Sequence, residues 1–132
     1  MDSGTFRIAT CQFSVSESIP QNSRAIQQFL KKARKKNATV VHFSECALSG
    51  YVGADFPSFE DYDWALLREE TRKIMALAGE LGLWVVLGSS HPLTEPHWPH
   101  NSLYLISPEG KIVDRYDKRF CTPGDLDHFT PG

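Results

Sequence analysis

Three apolar runs of strand length alternate along the chain with two segments whose apolar residues recur at helical spacing. The apolar runs lie at residues 6–13, 39–45 and 83–89, and the first of them is interpreted as a buried strand. The first helical segment opens at Pro20 and Asn22 and stops at Asn37, and the second spans residues 59–81 and stops at Gly82. The order strand, helix, strand, helix, strand predicts an α/β protein with helices on one face of a sheet.

The last third of the chain has a different pattern. The stretch "HPLTEPHWPH" at residues 91–100 holds three prolines and three histidines, which is typical of a loop. Two strand-like runs follow at residues 102–107 and 111–118, and the "PEG" between them predicts a hairpin. The hairpin makes the sheet mixed, and residues 119–132 show no periodicity. We therefore expect one domain over residues 1–132, incomplete because its last segment closes no element.

Composition narrows the classes of partner. With 132 residues, of which 41% are apolar, the chain can bury one core. Its net charge of −2 gives no general attraction to nucleic acid or to an anionic membrane, so small molecules or proteins are the expected partners. The run "KKARKK" at residues 31–36 is an alternative basic patch for nucleic acid or acidic lipid. The pattern favours the polar face and last turn of an amphipathic helix.

Cysteine usage and the absence of targeting patterns indicate the compartment. The three cysteines form an odd set without CxxC spacing, which favours neither a disulfide framework nor a zinc site. The start of the chain lacks a signal-peptide pattern, and no apolar run reaches the length of about 18 residues that spans a bilayer. We expect a protein of the reducing cytoplasm.

The stretch "VVHFSECALSGY" at residues 40–51 carries the first candidate for chemistry, because Glu45 follows a strand. Ligands of α/β sheets gather at the carboxyl ends of strands, and Lys118 closes the last strand-like run. The two side chains can form a structural ion pair, or they can act as a general base and an oxyanion stabiliser. The pattern alone slightly favours the structural pair.

Several motifs in order resemble one family. "FRIATCQFSV", "VVHFSECALSGY", "LWVVLGSS", "HNSLYLISPEGKIVDRYDK" and "HFTPG" are similar to successive segments of the nitrilase superfamily of carbon-nitrogen hydrolases. The resemblance covers residues 6–132. It implies part of an α-β-β-α sandwich, assembly into homo-oligomers, and a small-molecule substrate with a linear amide, N-carbamoyl or nitrile group.

The resemblance also implies roles for individual residues. Glu45 matches the general base, and Lys118 matches the lysine that stabilises the tetrahedral intermediate after a thiolate attacks the substrate carbon. Asp127 stands where many members have a second acidic residue, usually glutamate. Asn101 and Tyr51 match an asparagine and an aromatic residue near the site. The resemblance implies neither a metal nor a cofactor.

The nucleophile is the point at which the sequence departs from the family pattern. The family's cysteine follows the lysine by some tens of residues, whereas this sequence ends fourteen residues after Lys118. We expect Cys11 and Cys46 to be buried packing residues and Cys121 to be a loop thiol whose pKa the nearby lysine lowers. The 132-residue chain alone is therefore predicted to be inactive. The alternative is a truncated, non-catalytic module that acts in binding or oligomer assembly.

Two further groups of residues have alternative readings. The histidines of the proline-rich loop could suggest a metal site, but their irregular spacing favours solvated loop residues; they are His91, His97 and His100. Three aromatic residues after the glutamate motif could line a substrate pocket, and packing at the start of a helix explains them equally well. These are Phe56, Phe59 and Trp64.

Overall fold

The structure is a computed structural model that describes residues 4–132, and its centre is one five-stranded sheet. The elements in chain order are β1 (Ile8–Cys11), α1 (Ile19–Lys35), β2 (Val40–Phe43), α2 (Trp64–Leu81), β3 (Trp84–His91), β4 (His100–Ile106), β5 (Ile112–Asp117) and α3 (Pro123–Leu126). The strands lie in the order in which they occur in the chain. β1, β2 and β3 are parallel, and β4 and β5 are antiparallel to their neighbours, so the predicted mixed sheet is confirmed.

A side chain caps the start of each long helix, and a residue in the left-handed conformation lies at the end of each. Ser18 caps α1 by accepting a hydrogen bond from the amide of Gln21, and Asn37 follows the helix with a φ of 56°. Gly82 ends α2 in the left-handed conformation, as predicted. The prediction that α2 begins at residue 59 is wrong. Asp63 is its N-cap, and the residues before it form a turn in which aromatic rings pack.

The core lies between the helices and one face of the sheet. Side chains alternate along a strand, so the buried residues of the strands identify the helix-covered face. They include Val41, Phe43, Val85, Leu87 and Ile106. The opposite face is not covered by either long helix. It carries Ile8 and Tyr116, which are 57% and 52% exposed. The expectation that the first strand is buried is therefore wrong: β1 is an edge strand with one open face.

Asn22 ties α1 to the turn that follows β2. Its side chain is fully buried: Oδ1 accepts from the Ser16 amide at 3.0 Å, and Nδ2 donates to the carbonyls of Ser16 (2.8 Å) and Leu48 (3.2 Å). Three backbone groups thus depend on one side chain, and the Leu48 carbonyl belongs to the turn that carries Glu45.

We expect Asn22→Ala to lower the free energy of unfolding by about 2–3 kcal/mol, because it leaves buried backbone groups without partners. Unfolding in urea measures the change. Gln28→Ala, at an exposed position of the same helix, is the control, with an expected change within about 0.5 kcal/mol. Equal effects of the two substitutions would contradict this role of Asn22.

Candidate functional site

A tight turn after β2 places Glu45 at the carboxyl edge of the sheet. The turn covers residues 45–49, and Cys46 within it has a φ of 52°. The Leu48 amide donates to the Gly88 carbonyl at 3.0 Å, which ties the turn to β3. A Cβ on Gly88 would overlap the Ser44 carbonyl oxygen, so the close approach requires glycine at this position. Within this turn the Glu45 side chain is exposed, whereas Cys46 is fully buried.

Three strand ends meet at this edge and bring together a carboxylate, an amide and an ammonium group. Glu45 follows the end of β2, Asn101 lies at the start of β4, and Lys118 follows the end of β5. Glu45 Oε1 accepts from Asn101 Nδ2 at 2.6 Å and from Lys118 Nζ at 2.9 Å. The Lys118 amide also donates to the Asn101 carbonyl at 2.8 Å. The structure therefore brings together the three residues that the sequence singled out on separate strands.

Asp125 completes the surroundings of Lys118. Its Oδ2 lies 3.0 Å from Lys118 Nζ, and its Oδ1 accepts from the Tyr51 hydroxyl. Hydrogen bonding to Glu45 is the main cause that raises the pKa of Lys118, and Asp125 adds to it. Burial alone would raise the pKa of Asp125, but the bonds from Tyr51, Thr122 and Lys118 outweigh it and hold that pKa well below its usual range. Burial, followed by the bond to Asp125, raises the pKa of Tyr51.

The second acidic residue beside Lys118, after Glu45, is Asp125. The family resemblance had pointed to Asp127 for this place. Asp127 lies at the end of α3 with an exposed side chain. Asp125 is buried because Thr122 and Asp125 form a capping box: the Asp125 amide donates to Thr122 Oγ1 at 3.2 Å, and the Thr122 amide donates to Asp125 Oδ2 at 2.9 Å. The sequence signal for it is "TPGD", in which a threonine precedes an acidic residue by three positions.

The lowered pKa of Asp125 predicts a specific dependence of stability on pH. Its folded-state pKa lies below the ordinary value of 3.8, so the carboxylate stabilises the fold above about pH 4. That contribution is lost as the pH falls toward the folded-state pKa. We expect Asp125→Asn to lower the free energy of unfolding by about 2 kcal/mol at pH 7, and the difference from the wild type to shrink below about pH 4.

Urea unfolding of the two proteins from about pH 2.5 to about pH 7 measures this difference, because that range extends more than about one pH unit on either side of the ordinary aspartate pKa of 3.8. Asp127→Asn is the matched control, because it makes the same chemical change two residues away on an exposed side chain. A difference between wild type and Asp125→Asn that is independent of pH would contradict the assignment.

The Glu45–Lys118 pair opens into a cavity of about 300 Å³ on the side of the sheet that the long helices leave uncovered. Its lining comprises His42, Phe43, Ser44, Glu45, Asn101, Ser102, Leu103, Tyr116 and Lys118. The wall is largely apolar, and the polar groups of Glu45, Asn101 and Lys118 form part of it. Such a cavity suits a small molecule with one polar group. Both hydrogen bonds to Glu45 use Oε1, so among residues 4–132 Oε2 carries no hydrogen bond from a side chain.

None of the three cysteines offers a reactive thiolate to this cavity. Cys11 and Cys46 are buried, as predicted, and burial raises the pKa of each, that of Cys46 to about 12 with Glu45 as the second cause. Cys121 was expected to have a lowered pKa. Burial and Asp125 instead raise the pKa of its thiol, although Lys118 acts in the opposite direction. A thiol that keeps its proton is a poor nucleophile.

The histidines do not behave as one group. His97 is exposed in the loop, as predicted. His91 and His100 are not solvated loop residues: they pair across β3 and β4, His91 Nδ1 lies 2.7 Å from the Tyr104 hydroxyl, and His100 Nδ1 lies 2.7 Å from the Thr130 carbonyl. Within residues 4–132 no group of three or more potential ligands has the arrangement of a metal site.

Phe56, Phe59 and Trp64, the aromatic residues that follow the glutamate motif, pack mainly against other aromatic rings. The rings of Phe56, Phe59 and Tyr62 contact one another, and Phe59 stacks on Trp64 with centroids 5.2 Å apart. Phe59 and Trp64 also line a separate groove with the proline-rich loop. Neither residue is among those that line the Glu45–Lys118 cavity, so the structure favours packing over contact with a ligand at that site.

The structure is thus that of an α/β protein with a mixed sheet, whose strand ends join a carboxylate to an ammonium beside a cavity. The chain belongs to the carbon-nitrogen hydrolase family, whose model matches residues 7–130. The resemblance to the nitrilase superfamily is therefore confirmed. No helix in residues 4–132 has both the length and the hydropathy needed to cross a membrane.

Individual relatives match most of this chain and less than half of their own length. The omega-amidase NIT2 of Mus musculus is 28% identical over 114 residues, which are 86% of this chain and 40% of that protein. The fusion protein NitFhit of Caenorhabditis elegans is 26% identical over 121 residues, or 89% of this chain and 27% of that protein.

Solved structures confirm the fold. An amidase from Nesterenkonia sp. has a TM-score of 0.83 at 21% identity and is matched over 96% of this chain and 48% of its own. A carbon-nitrogen hydrolase from Helicobacter pylori gives the same TM-score and identity, with 44% of its chain covered. A mutant of the Nesterenkonia amidase in which a glutamate is replaced by leucine shows covalent addition of the acetamide moiety of fluoroacetamide at the active-site cysteine of that enzyme.

Proposed function

We propose that this chain supplies the base and the electrostatic stabiliser of a hydrolase for linear amide bonds, with N-carbamoyl and nitrile groups as the other candidate substrates. The observation that carries the proposal is the Glu45–Lys118 contact at 2.9 Å beside the cavity of about 300 Å³. Family membership supports the choice of carbon–nitrogen bonds. The amidase names of the relatives favour amides within that class.

In the proposed reaction Glu45 moves protons and Lys118 stabilises charge. A thiol gives its proton to Glu45 and attacks the carbonyl carbon, and the oxyanion that forms is stabilised by the ammonium of Lys118. Glu45 then gives the proton to the leaving nitrogen, so that ammonia departs and a thioester remains. Water, deprotonated by Glu45, hydrolyses the thioester and regenerates the thiol.

Asn101, Asp125 and Tyr51 act through these two residues. Asn101 donates a hydrogen bond to Oε1 of Glu45, and Asp125 forms a second ion pair with Lys118. Tyr51 holds Asp125 in turn. Because Lys118 lies between two carboxylates, its ammonium stays charged and fixed, which suits stabilisation of a developing oxyanion. Asp127 has no place in this arrangement.

The proposed nucleophile is a cysteine outside residues 1–132. Cys46 is buried, and its pKa is raised. Cys121 is not among the residues that line the cavity, and its Sγ lies 3.7 Å from the backbone carbonyl oxygen of Lys118. The region that carries the nucleophile is then a later strand, as the family resemblance implies. The 132-residue chain alone is predicted to have no amidase activity.

A chimera tests this division of the site. Residues 1–132 replace the matched half of the Nesterenkonia amidase and are followed by the remaining half of that enzyme; we call this protein the chimera. Ammonia release from butyramide is measured for the chimera and for the 132-residue chain alone, because a cysteine-to-alanine mutant of that amidase has been solved in complex with butyramide. We expect release from the chimera only. Release by the isolated chain, or a folded chimera without activity, would contradict the proposal.

A second candidate function is supported by the open face of the sheet. Ile8 and Tyr116 on this face are each more than half exposed, and apolar surface of this kind is typical of an interface. On this hypothesis the chain is a non-catalytic module that self-associates, and the cytoplasm is its expected compartment. The reading frame beyond Gly132 separates the candidates: a frame that continues through a cysteine motif favours the enzyme, and a stop codon favours the module.

A further inference from the structure

A buried thiol lies directly behind the proposed base. Cys46 is fully buried, and its Sγ lies 3.6 Å from Oδ1 of Asn101 in hydrogen-bonding geometry. The amide nitrogen of Asn101 donates to Glu45 Oε1 at 2.6 Å. The three side chains therefore form a continuous chain of hydrogen bonds from the thiol through the amide to the carboxylate. None of the proposed chemical steps uses the thiol.

The backbone at Cys46 gives an independent reason to look for a role of its side chain. Its φ of 52° lies in the left-handed region, where a residue with a Cβ is strained by about 1–2 kcal/mol. Glycine would relieve that strain. A cysteine here is held by what its side chain contacts, and the hydrogen bond to Asn101 is such a contact.

The protonation states of Cys46 and Glu45 fix the orientation of the Asn101 side-chain amide between them. Burial raises the pKa of Cys46 to about 12, so the thiol keeps its proton and is a hydrogen-bond donor. A carboxylate has no proton to donate and can only accept. Oδ1 of Asn101 must therefore face Cys46 while Nδ2 faces Glu45. In the flipped amide, Oδ1 would face the carboxylate, which has no proton to donate, and the contact with Glu45 would be lost.

We propose that Cys46 is a positioning residue: its thiol holds the Asn101 amide so that Nδ2 retains Glu45 Oε1 and leaves Oε2 available for proton transfer. This inference rests on the proposed role of Glu45 as the base. It assigns a function to the residue beside the base without making it a nucleophile. Serine can replace the donor, whereas alanine and glycine cannot.

The test is the rate at which the side-chain amide protons of Asn101 exchange with water, measured by NMR on the ¹⁵N-labelled 132-residue chain. The signals are identified by their absence from the Asn101→Asp spectrum. Cys46→Ala and Cys46→Ser retain the same Cβ and backbone strain and differ in the donor. We expect exchange about 3- to 10-fold faster than in the wild type for Cys46→Ala, and a rate close to the wild type for Cys46→Ser.

Cys46→Gly is a second variant without a donor, and it adopts the left-handed φ without strain, so it retains the fold if alanine does not. It should also show the faster exchange. The side-chain amide of Gln27, which donates to Ser23 Oγ at 3.0 Å on α1, is the internal reference and should not change. Exchange at Asn101 that is unchanged in both donor-less variants, or that is not restored by serine, would overturn the proposal.

The outcome is separate from that of the proposed function, because no hydrolysis is measured. If the chimera is folded and inactive but the exchange rates follow this pattern, the proposed function fails and the hydrogen-bonded chain stands. If the chimera is active but the rates do not respond to the thiol, only the role of Cys46 fails.

Discussion

In the chimera, Glu45→Gln is expected to lower kcat for butyramide by about 100-fold or more. Glutamine has the size of glutamate and can still accept at one oxygen from Asn101 and Lys118, so the substitution removes mainly the ability to take a proton. General acid–base catalysis contributes about 10²- to 10⁴-fold. A loss of 100-fold corresponds to about 2.7 kcal/mol of transition-state stabilisation.

The kinetics distinguish a base from a residue that only maintains the site. Glu80→Gln, at an exposed position of α2, makes the same change elsewhere and is expected to leave kcat within about twofold, a change of roughly 0.4 kcal/mol. KM for butyramide should change little in either variant, because the base is not needed to bind the amide. A Glu45→Gln chimera with nearly full kcat would show that Glu45 is a structural partner of Lys118, which is the reading that the sequence pattern alone favours.

Gly88→Ala is expected to lower the free energy of unfolding by about 3 kcal/mol or more. A Cβ at this position would overlap the Ser44 carbonyl oxygen and would lie 2.8 Å from the amide nitrogen of Cys46. Both are backbone atoms, so a side-chain rotation cannot relieve the overlap, and the turn must move away from β3. Overpacking within a well-packed core costs about 1–3 kcal/mol and occasionally more.

Urea unfolding measures the effect of Gly88→Ala, and Gly124→Ala is the control. No atom lies within 4 Å of a Cβ built on Gly124, and the residue is within α3, so its replacement is expected to be neutral or slightly stabilising. If Gly88→Ala is as stable as the wild type, the turn does not approach β3 as closely as the structure shows, and the position of Glu45 would need revision.

The sequence predicts the elements well where local patterns determine them. Gly82 ends α2 as expected because only its left-handed conformation matters there, and the hairpin forms as its turn residues predict. The start of α2 could not be predicted in this way. Periodicity extends back to residue 59, but the aromatic rings of Phe59 and Tyr62 pack together in a turn, and Asp63 caps the helix instead.

For the site, the sequence identifies residues at strand ends but not the contacts that depend on turns. Glu45, Asn101 and Lys118 could be found because strand ends meet at one edge of the sheet. The choice between Asp125 and Asp127 depends on a capping box in a helix of four residues, which periodicity does not reveal. The close approach at Gly88 was marked only by an isolated glycine in an apolar run. The position of Asp125 and the close approach at Gly88 both depend on contacts between segments that are distant in the sequence, so only the three-dimensional structure shows them.

The central claim is that the base and the stabilising lysine lie in this chain while the nucleophile lies outside it. The most direct measurement is peptide mass spectrometry of the Glu45→Gln chimera after incubation with fluoroacetamide, whose methylene carbon bonds to the nucleophilic sulfur as fluoride leaves. This variant is used because hydrolysis of the amide is slowed in it, and because glutamate mutants of the Nesterenkonia amidase show this covalent addition. We predict modification of the active-site cysteine contributed by the Nesterenkonia half, and no modification within residues 1–132. Modification of Cys46 or Cys121, in the chimera or in the isolated chain, would contradict the account.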